Sequence, residues 1–434
     1  MRVCLFVYKP LVVNAQVFRE ASALVERGDT VEILAFHRDD LPAVEERDGY
    51  TIHRIRRDPL DQRLKRLART LRRRIARLPG DVARRLVPSL RERWPAPSQP
   101  GRRTGAVSKP RPRGFIRKQL QLLDYSIKAY RIVKERPADV YHALNLDTLP
   151  LGVAAARRSG ARLVYDSREL WADRAVVPGL QKRYWWFIEG RLIDRPDRIL
   201  TPCDSFSDQL VKRHGIEKPA VVRSCPVIPE GGLNGGGPEL REYASLEGSD
   251  EPIVLYQGQI QAERGLYDLA TAAGQLERGV VVIMGSGSMR GELQRTVDTA
   301  GLTERIRILE AVPPELLLRY TAGATIGVAP IEGNHLSYFY SAPNKLYEYL
   351  AAGLPVVATR LPEMEQVVEG HDVGLLVEPG DVQGLAAAIN RLLAEPELYG
   401  RFRKNALEAS KIFNWNTESA KFRALYDSLE SAPS

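Results

Sequence analysis

The chain of 434 residues has little cysteine and no long hydrophobic run. Its three cysteines, Cys4, Cys203 and Cys225, form no Cys-x-x-Cys pair, which argues against a disulfide framework and against a zinc site. We therefore expect a reducing, cytoplasmic compartment. Segment 1–8 is too short for a signal peptide, and no run of about 18 apolar residues occurs. The sequence predicts neither secretion by that route nor a membrane-spanning helix.

Positive charge is concentrated in one segment of the chain. Between Arg54 and Lys118 there are 22 Lys or Arg and 4 Asp or Glu, a net charge of +18. The whole chain carries +9, so the remainder carries −9. Within 60–87, apolar residues recur every three or four positions with arginines between them, which predicts a basic amphipathic helix. Segment 94–113 is rich in Pro, Gly, Ser and Arg, which is typical of a linker.

Three functions fit this basic insertion. An amphipathic helix with leucines on one side and arginines on the other suits an anionic membrane surface, which is the interpretation we favour for 60–87. Nucleic-acid binding is disfavoured, because no aromatic residues are interleaved with the arginines to stack on bases. The simplest alternative is a helix that packs its apolar stripe on its own domain and leaves the arginines in solvent.

Strands and helices alternate along the rest of the chain, which predicts an α/β protein with doubly wound parallel sheets. At roughly 150 residues per domain the length suggests two or three units, and we predict two. The first is 1–228 with the basic insertion at about 54–118, and the second is 253–412. Segment 229–252 is rich in glycine and predicts the linker between them.

Segment 341–359 contains a helix with its own start and stop signals, followed by a short apolar strand. Ser341 is expected near the N-cap and Pro343 in the first turn. Lys345 and Glu348 lie three apart and therefore share a face near the positive end of this helix. That end suits a phosphate and the carboxylate suits sugar hydroxyls. The alternative is an ordinary surface helix with one local ion pair.

Two glycine-containing loops follow strands of the second domain. Gly285 and Gly287 stand between an apolar strand and a helix, where glycine lets the backbone approach a nucleotide closely. The pair is an imperfect dinucleotide fingerprint, because the third glycine falls one position late at Gly291, but a nicotinamide-dependent enzyme remains an alternative. The preceding loop, with Gly258 and Arg264, is better suited to a diphosphate.

Three motifs of the second domain resemble the donor-binding half of the family 4 retaining glycosyltransferases, which have the GT-B fold. They read Tyr-Gln-Gly258-x5-Arg264-Gly-Leu, Met-Gly285-x-Gly287, and Pro343-Asn344-Lys345-Leu346-Tyr-Glu348-Tyr. The last resembles the motif of one subgroup of that family. In the first domain, 143–150 and 165–171 resemble the same family, and 413–434 resembles its last helix, which crosses back to the first domain.

The resemblance implies two Rossmann-like domains that face each other across a cleft. It also implies transfer of a sugar from a nucleoside diphosphate sugar with retention at the anomeric carbon, without a metal or other cofactor. No Asp-x-Asp occurs in the chain, in agreement with metal independence. By resemblance, Glu348 would hold the ribose hydroxyls while Arg264 and Lys345 neutralise the departing diphosphate, the kind of electrostatic help that lowers reaction barriers most.

Further site residues follow from the same resemblance. On the donor side these are Gly258, Gln259, Gly285, Gly287, Ser341, Pro343, Asn344 and Leu346. On the acceptor side these are Asn14, His142, Asp166, Arg168 and Glu169. We expect His142 to be mainly a structural residue at a strand end, with contact to the acceptor as the alternative.

The sequence also departs from the family pattern. Tyr340 stands where the first of two glutamates is usual, Gln259 replaces a basic residue, and Asn145 replaces a carboxylate. Arg168 stands in place of a histidine, and arginine stays charged and cannot act as a base. It could instead grip a phosphate of a polyprenyl diphosphate carrier. Asn14 belongs to a loop, Asn-Ala-Gln-Val, that differs from the expected Asp-Pro-Arg-Val.

The sequence thus predicts a transferase that moves a hexose or N-acetylhexosamine from a nucleotide sugar to a glycan or polyprenyl-diphosphate-linked acceptor, in envelope or exopolysaccharide synthesis. We expect it in the cytoplasm, peripheral on the inner face of the cell membrane, with no nucleic-acid partner. One alternative is a nucleotide-sugar epimerase of the same fold. Another is a non-catalytic paralogue that binds the nucleotide sugar and acts as a membrane-associated partner.

Overall fold

The computed structural model describes residues 1–11, 14–56, 112–174, 179–229, 231–233 and 239–431. Within them, two sheets of predominantly parallel strands are each covered by helices, which confirms the predicted two-domain α/β architecture. The predicted basic helix at 60–87 lies outside the described residues. Among the described helices, none has the length and apolar character needed to cross a bilayer.

The first domain is built on an eight-stranded sheet in the order β3-β4-β2-β1-β5-β6-β7-β8. Its strands are β1 (Arg2–Phe6), β2 (Thr30–Phe36), β3 (Val44–Arg47), β4 (Tyr50–Ile55), β5 (Val140–Leu144), β6 (Arg162–Asp166), β7 (Arg198–Thr201) and β8 (Ala220–Val221). Only β3, at the edge, pairs antiparallel. The central strands β1, β5 and β6 are almost entirely buried and apolar, because helices cover both faces of the sheet.

Helices α1 to α5 flank this sheet, together with a short 3-10 helix at Trp171–Asp173. They are α1 (Ala15–Glu26), α2 (Pro112–Glu135), α3 (Leu149–Ser159), α4 (Gly179–Leu192) and α5 (Asp204–His214). Helix α1 begins after Asn14, whose side-chain oxygen accepts a hydrogen bond from the backbone N–H of Val17. Helices α3 and α5 end at Gly160 and Gly215, which adopt the left-handed conformation that glycine allows.

The predicted bounds of the basic insertion were wrong at both ends. Arg54, placed at its start, belongs to β4, where its buried guanidinium donates to the carbonyl oxygens of Leu11 and Pro42 and pairs with Glu45. Strand β4 was missed because its alternation of apolar and polar residues merges into the arginine-rich run. At the other end, α2 begins at Pro112, inside the predicted linker.

The second domain has a six-stranded parallel sheet in the order β11-β10-β9-β12-β13-β14. Its strands are β9 (Ile253–Gln257), β10 (Val280–Met284), β11 (Ile306–Leu309), β12 (Ile326–Ala329), β13 (Val356–Thr359) and β14 (Gly374–Val377). Its helices are α6 (Glu239–Tyr243), α7 (Leu266–Ala273), α8 (Arg290–Thr299), α9 (Leu317–Thr321), α10 (Leu336–Phe339), α11 (Asn344–Ala351), α12 (Pro362–Val368), α13 (Val382–Ala394) and α14 (Pro396–Ser410).

The predicted linker 229–252 is not irregular throughout. Helix α6 lies within it, and Leu240, Ala244 and Leu246 are buried in the core of the second domain. The many glycines nearby concealed this short helix, because one turn carries too few residues to show a period. The second domain therefore begins before β9.

Helix α11 begins later than the sequence indicated. Pro343 is its N-cap with an extended backbone rather than a residue of its first turn. Ser341 does not cap the helix, because its hydroxyl donates to the carbonyl oxygen of Tyr338 in the preceding turn. The first backbone N–H groups of α11 thus have no side-chain cap, and Asn344 and Lys345, which begin the helix, line the cleft between the domains.

The last helix, α15 (Trp415–Ser431), packs on the first domain. Phe422, Tyr426 and Leu429 are buried in its core beside α1 and the central strands. The chain therefore leaves the first domain before α6 and returns to it at Trp415. In both sheets the strand order reverses at the centre, between β1 and β5 and between β9 and β12. The crevices at these two switch points are where ligands bind in doubly wound sheets.

Candidate functional site

A cavity of about 780 Å³ lies between the two domains, at the carboxyl ends of both sheets. The predicted site residues that line it are Arg264, Lys345, Glu348, Gly258, Gln259, Gly285, Ser341, Pro343, Asn344, Asn14, Asp166, Arg168 and Glu169. The three that do not are Gly287, Leu346 and His142. The fold thus brings together segments that are more than 300 residues apart in sequence.

Two cations stand on the second-domain wall of the cavity. The Lys345 Nζ lies 3.3 Å from the centre of the Tyr256 ring and has no hydrogen-bond partner among the described residues, although the side chain is buried. The Arg264 guanidinium lies 4.5 Å from the centre of the Tyr338 ring, and its buried Nε also has no partner there. Buried cationic donors without acceptors are costly, so this wall is built to receive an anion.

We expect an anion in the cavity to favour the charged form of Lys345. Burial lowers the pKa of Lys345 well below its ordinary value, and the neighbouring charge of Arg264 lowers it further, while Glu348 offsets part of the effect. A diphosphate in the cavity would supply the missing opposite charge and favour the protonated form. The N-terminus of α11, which carries Lys345, adds backbone donors and a positive dipole end.

Glu348 is held in place by a polar chain from the sheet. Gln257, the last residue of β9, donates from Nε2 to Oε2 of Glu348 at 2.5 Å, and its own Oε1 accepts from the hydroxyl of Thr321. Burial raises the pKa of Glu348, which Gln257, Arg19 and Lys345 counteract. The carboxylate is thereby oriented before any ligand binds, as recognition of vicinal hydroxyls requires.

Gly285 and Gly287 allow two loops of this wall to pack closely, and this is their main role in the structure. A Cβ at Gly285 would lie 1.8 Å from the carbonyl oxygen of Gly258, and one at Gly287 would lie 2.0 Å from that of Ile260. The two glycines let the loop after β10 pack against the loop after β9. Gly287 therefore supports the site from behind, whereas we predicted it as a donor-binding residue on the cavity wall.

Leu346 and Tyr340 also have structural positions. Leu346 is fully buried in the core of the second domain, because it lies on the opposite face of α11 from the cleft. Tyr340, at the position of the usual first glutamate, does not line the cavity; it packs against the buried cluster of Leu170, Phe206 and Leu210 from the first domain. This residue joins the domains rather than contacting the cavity.

His142 lies one layer beneath the acceptor side of the cavity. It is fully buried, its Nδ1 is 2.7 Å from the hydroxyl of Tyr426 on α15, and its ring stacks on Tyr426. Its Nε2 is 3.8 Å from Oδ2 of Asp166. The structural interpretation of His142 therefore fits its position, and contact with an acceptor does not.

The first-domain wall is centred on Arg168. Its guanidinium pairs with Asp166 through Nε and with Glu20 of α1 through an Nη nitrogen, and Gln16 donates to the other oxygen of Glu20. Burial raises the pKa of Glu20, an effect that Arg168 opposes. Burial acts in the same direction on Asp166, but Arg168 and His142 hold its pKa below the ordinary value.

This arrangement bears on two hypotheses. Because two carboxylates already pair with Arg168, little of its charge is left to bind a phosphate of a carrier lipid.

Oxygen and nitrogen atoms of Glu20, His142 and Asp166 lie within 4.8 Å of one another, a grouping that could hold a metal ion. The guanidinium of Arg168 supplies the positive charge that those carboxylates need, so the donor set fits a metal poorly.

Asn145 and Asp147 bring polar atoms to the cavity from the loop after β5. Asn145 has φ 65°, a left-handed conformation that costs energy for a residue other than glycine, and its buried Oδ1 has no hydrogen-bond partner among the described residues. Burial raises the pKa of Asp147 to about 7, although Arg174 and Lys9 lower it. A strained amide and a proton-exchanging carboxyl at one rim suit recognition of hydroxyl groups.

We expect Asp147 to make the folded protein less stable as the pH rises from about 4 to about 7. The unfolded chain releases this proton near the ordinary aspartate value, whereas the folded state holds it to about pH 7, so the folded state binds more protons in that window. Asp147→Asn should therefore gain stability relative to wild type, by up to about 1.4 kcal/mol for each pH unit. Urea unfolding at several pH values measures this difference; a difference independent of pH would contradict it.

Glu20 and Gln257 line the cavity but were not among the predicted site residues. Glu20 has no recognisable motif around it, whereas Gln257 stands in the Tyr-Gln-Gly258 motif, where no role was assigned to it. Glu20 carried a usable signal, because it lies three residues after Val17 on the buried face of α1, where a charge needs a partner. Gln257 was detectable as a polar residue that ends an otherwise apolar strand.

Comparison with known proteins agrees with this geometry. Residues 79–226 match the family described as "Glycosyl transferase 4-like domain", and residues 251–395 match "Glycosyl transferases group 1". The fold and the cleft define a GT-B protein. Each of these two segments thus resembles a glycosyltransferase domain of the kind that its description names.

Two curated relatives illustrate the similarity and its extent. The chain is 31% identical over 172 residues to alpha-D-kanosaminyltransferase of Streptomyces kanamyceticus, which covers 39% of this chain and 42% of that protein. It is 28% identical over 298 residues to D-inositol 3-phosphate glycosyltransferase of Acidothermus cellulolyticus, covering 64% of each. The matched regions thus span less than two thirds of these relatives' lengths.

Solved structures extend the likeness in fold to the whole chain. Sucrose-phosphate synthase from Thermosynechococcus elongatus has a TM-score of 0.75 at 19% identity, with all of both chains covered. Anabaena HepE in complex with UDP-glucose has a TM-score of 0.68 at 15% identity, covering 99% of this chain and all of that one. At these identities the likeness concerns the fold.

Proposed function

We propose that this protein transfers a sugar from a nucleoside diphosphate sugar to a hydroxyl group of a glycan or lipid-linked acceptor, with retention at the anomeric carbon and without a metal ion. The observation that carries the proposal is the pair of cationic side chains, Arg264 and Lys345, on the wall of the cleft. Each has a buried nitrogen without a partner among the described residues. A diphosphate supplies the acceptors and the charge that both require.

The chemistry follows from the placement of charge. As the bond from the anomeric carbon to the diphosphate oxygen breaks, the electron pair passes to that oxygen, and Arg264, Lys345 and the N-terminus of α11 stabilise it. The acceptor oxygen forms the new bond from the first-domain side, and its proton goes to the departing phosphate. Glu348, oriented by Gln257, holds the ribose hydroxyls and thereby fixes the position of the donor in the cleft.

The first-domain wall of the cavity is suited to an acceptor that is rich in hydroxyl groups. Its four carboxyl groups, Glu20, Asp147, Asp166 and Glu169, outnumber the three cations in this part of the cavity, Lys9, Arg168 and Arg174. Carboxylates accept hydrogen bonds from hydroxyl groups and repel phosphates. We place the protein at the inner face of the cell membrane, in the cytoplasm, in envelope or exopolysaccharide synthesis; the pathway rests on analogy with relatives such as the lipopolysaccharide core biosynthesis glycosyltransferase LpsE of Rhizobium meliloti.

Donor binding tests this proposal without knowledge of the acceptor. We expect UDP, GDP or ADP, or one of the corresponding nucleotide sugars, to raise the melting temperature, because a ligand that binds only the folded state stabilises it by mass action. Glu348→Gln should weaken this effect by about tenfold or more in ligand concentration, since it removes a charge-assisted hydrogen bond to ribose.

Lys404→Ala, on the exposed side of α14, is the matched control and should bind as wild type does. If no nucleoside diphosphate or nucleotide sugar shifts the melting temperature of the wild-type protein, the proposal is wrong. Binding without any transfer to a panel of sugars and polyols would favour the non-catalytic alternative. A changed sugar on the recovered nucleotide, without need of an acceptor, would identify an epimerase.

A further inference from the structure

The first domain exposes a patch of large apolar side chains on helices α2 and α4. Among the described residues, half of the exposed large apolar side chains lie on these two helices, with exposed fractions from 38% to 83%. We name them the α2–α4 face: Leu120, Leu123, Ile127, Leu180, Tyr184, Trp186 and Phe187. Concentrated exposure of this kind marks an interaction surface, whereas scattered apolar residues do not.

The exposed apolar side chains of the face form one stripe on each of the two helices. Along α2 its members are three and four residues apart and form one stripe on the side opposite the buried Tyr125 and Ala129. Along α4, Leu180, Tyr184 and Phe187 have the same spacing. The rings of Phe115 in α2 and Tyr184 in α4 meet edge to face at 5.8 Å, which brings the two helices into contact.

Basic residues surround the face. Lys182 places its Nζ 4.8 Å from the Trp186 ring, and Arg191 lies over the ring of Phe187. Helix α2 contains six Lys or Arg against two acidic residues. Helix α4 contains three against one, and that one, Glu189, is buried. Exposed tryptophan, tyrosine and phenylalanine beside lysine and arginine are the composition of protein surfaces that rest at the headgroup level of a bilayer.

A row of aromatic rings connects this face with the acceptor side of the cleft. The buried Trp185 of α4 contacts Tyr184 on one side and Trp171 on the other, with ring centres 5.0 and 5.8 Å apart. The Arg174 guanidinium stacks on Trp171 at 3.4 Å and lines the cavity. The exposed face therefore lies beside the part of the cleft that would receive an acceptor.

We propose that the α2–α4 face docks the protein on an anionic phospholipid bilayer. The positive charge of the face favours a bilayer over two alternatives, a second copy of the chain and segment 57–111 of the same chain. A second copy of the chain would bring an equally basic face against this one, and segment 57–111, with 17 Lys or Arg and 4 Asp or Glu, is basic too. An anionic lipid surface complements the positive charge of the face, while its apolar side chains enter the acyl boundary.

Sedimentation with lipid vesicles tests the proposal in the absence of any sugar nucleotide, so its outcome is separate from that of the transferase proposal. At roughly 0.1 M salt, full-length protein should bind vesicles with about 30% phosphatidylglycerol and should not bind pure phosphatidylcholine. The triple variant Leu180→Ser, Trp186→Ser and Phe187→Ser should lose at least about tenfold in binding. The control Leu407→Ser with Ile412→Ser, exposed on the second domain, should bind as wild type does.

The triple variant should remain folded, so that a loss of vesicle binding reports on the surface itself. We expect it to unfold near the wild-type temperature, because the substituted side chains are exposed. Equal vesicle binding by the triple variant and wild type would overturn the proposal, as would equal binding to neutral and anionic vesicles. A wild-type dimer that the three substitutions dissociate, without vesicle binding, would assign the face to a second copy of the chain instead.

Discussion

Replacement of Lys345 by methionine should lower kcat by about 10²- to 10³-fold while leaving the protein at least as stable as wild type. The two effects have one cause. The buried Nζ has no acceptor in the described structure, so it costs stability when the cleft is empty and contributes when a diphosphate develops charge during transfer. Methionine keeps the volume and removes the buried charge.

Transfer assays at saturating donor, together with urea unfolding of the ligand-free variant, measure both effects. Unfolding should require equal or greater denaturant, corresponding to a gain of up to about 2 kcal/mol. Arg264→Met is expected to lose turnover in the same way. A Lys345→Met variant that turned over normally, or one destabilised as much as a core substitution, would remove this side chain from the anion site.

The second large effect concerns Arg168. Substitution by alanine should destabilise the protein by about 3–5 kcal/mol, because it leaves Glu20 and Asp166 as buried carboxylates without their cation. The loss should be smaller at low pH, where protonation neutralises Glu20, whose pKa burial has already raised. Denaturant unfolding at two pH values tests this.

A second substitution isolates the cause. Glu20→Gln in the Arg168→Ala background should recover part of the lost stability, since it removes one of the two unpaired charges. Arg38→Ala, which breaks an exposed pair with Asp40, should leave the unfolding midpoint unchanged and serves as the control. No recovery in the double variant would mean that Arg168 acts through packing and not through charge.

The second-domain wall of the site was predictable because its residues lie in short, contiguous motifs. Lys345 and Glu348 share one helix, and Gly258 and Arg264 share one loop, so spacing alone placed them on common faces. The doubly wound parallel sheets followed from the alternation of strands and helices, whereas the order of the strands is known from the structure. In the second domain the local sequence motifs and the arrangement of the sheet therefore indicate the same site.

The acceptor side was less predictable because it is assembled from distant segments. Arg168 looked like a free cation in the sequence, and only the fold brings Glu20 of α1 against it from 148 residues away. Tyr340 and Gly287 stand at positions where the family motifs have site residues, but neither lines the cavity. Tyr340 packs against the other domain, and Gly287 packs against the loop after β9. Pairings of this kind depend on tertiary distances that no periodicity encodes.

The return of α15 to the first domain has a mechanical consequence. The chain passes between the two domains twice, and the passages are tied together where the Trp415 backbone N–H donates to the carbonyl oxygen of Pro226 at 2.9 Å. We expect relative motion of two domains joined in this way to be a rotation about the shared crossing point rather than a sliding movement. The distance between Lys345 on one wall and Asp166 on the other would then depend on the angle of that rotation.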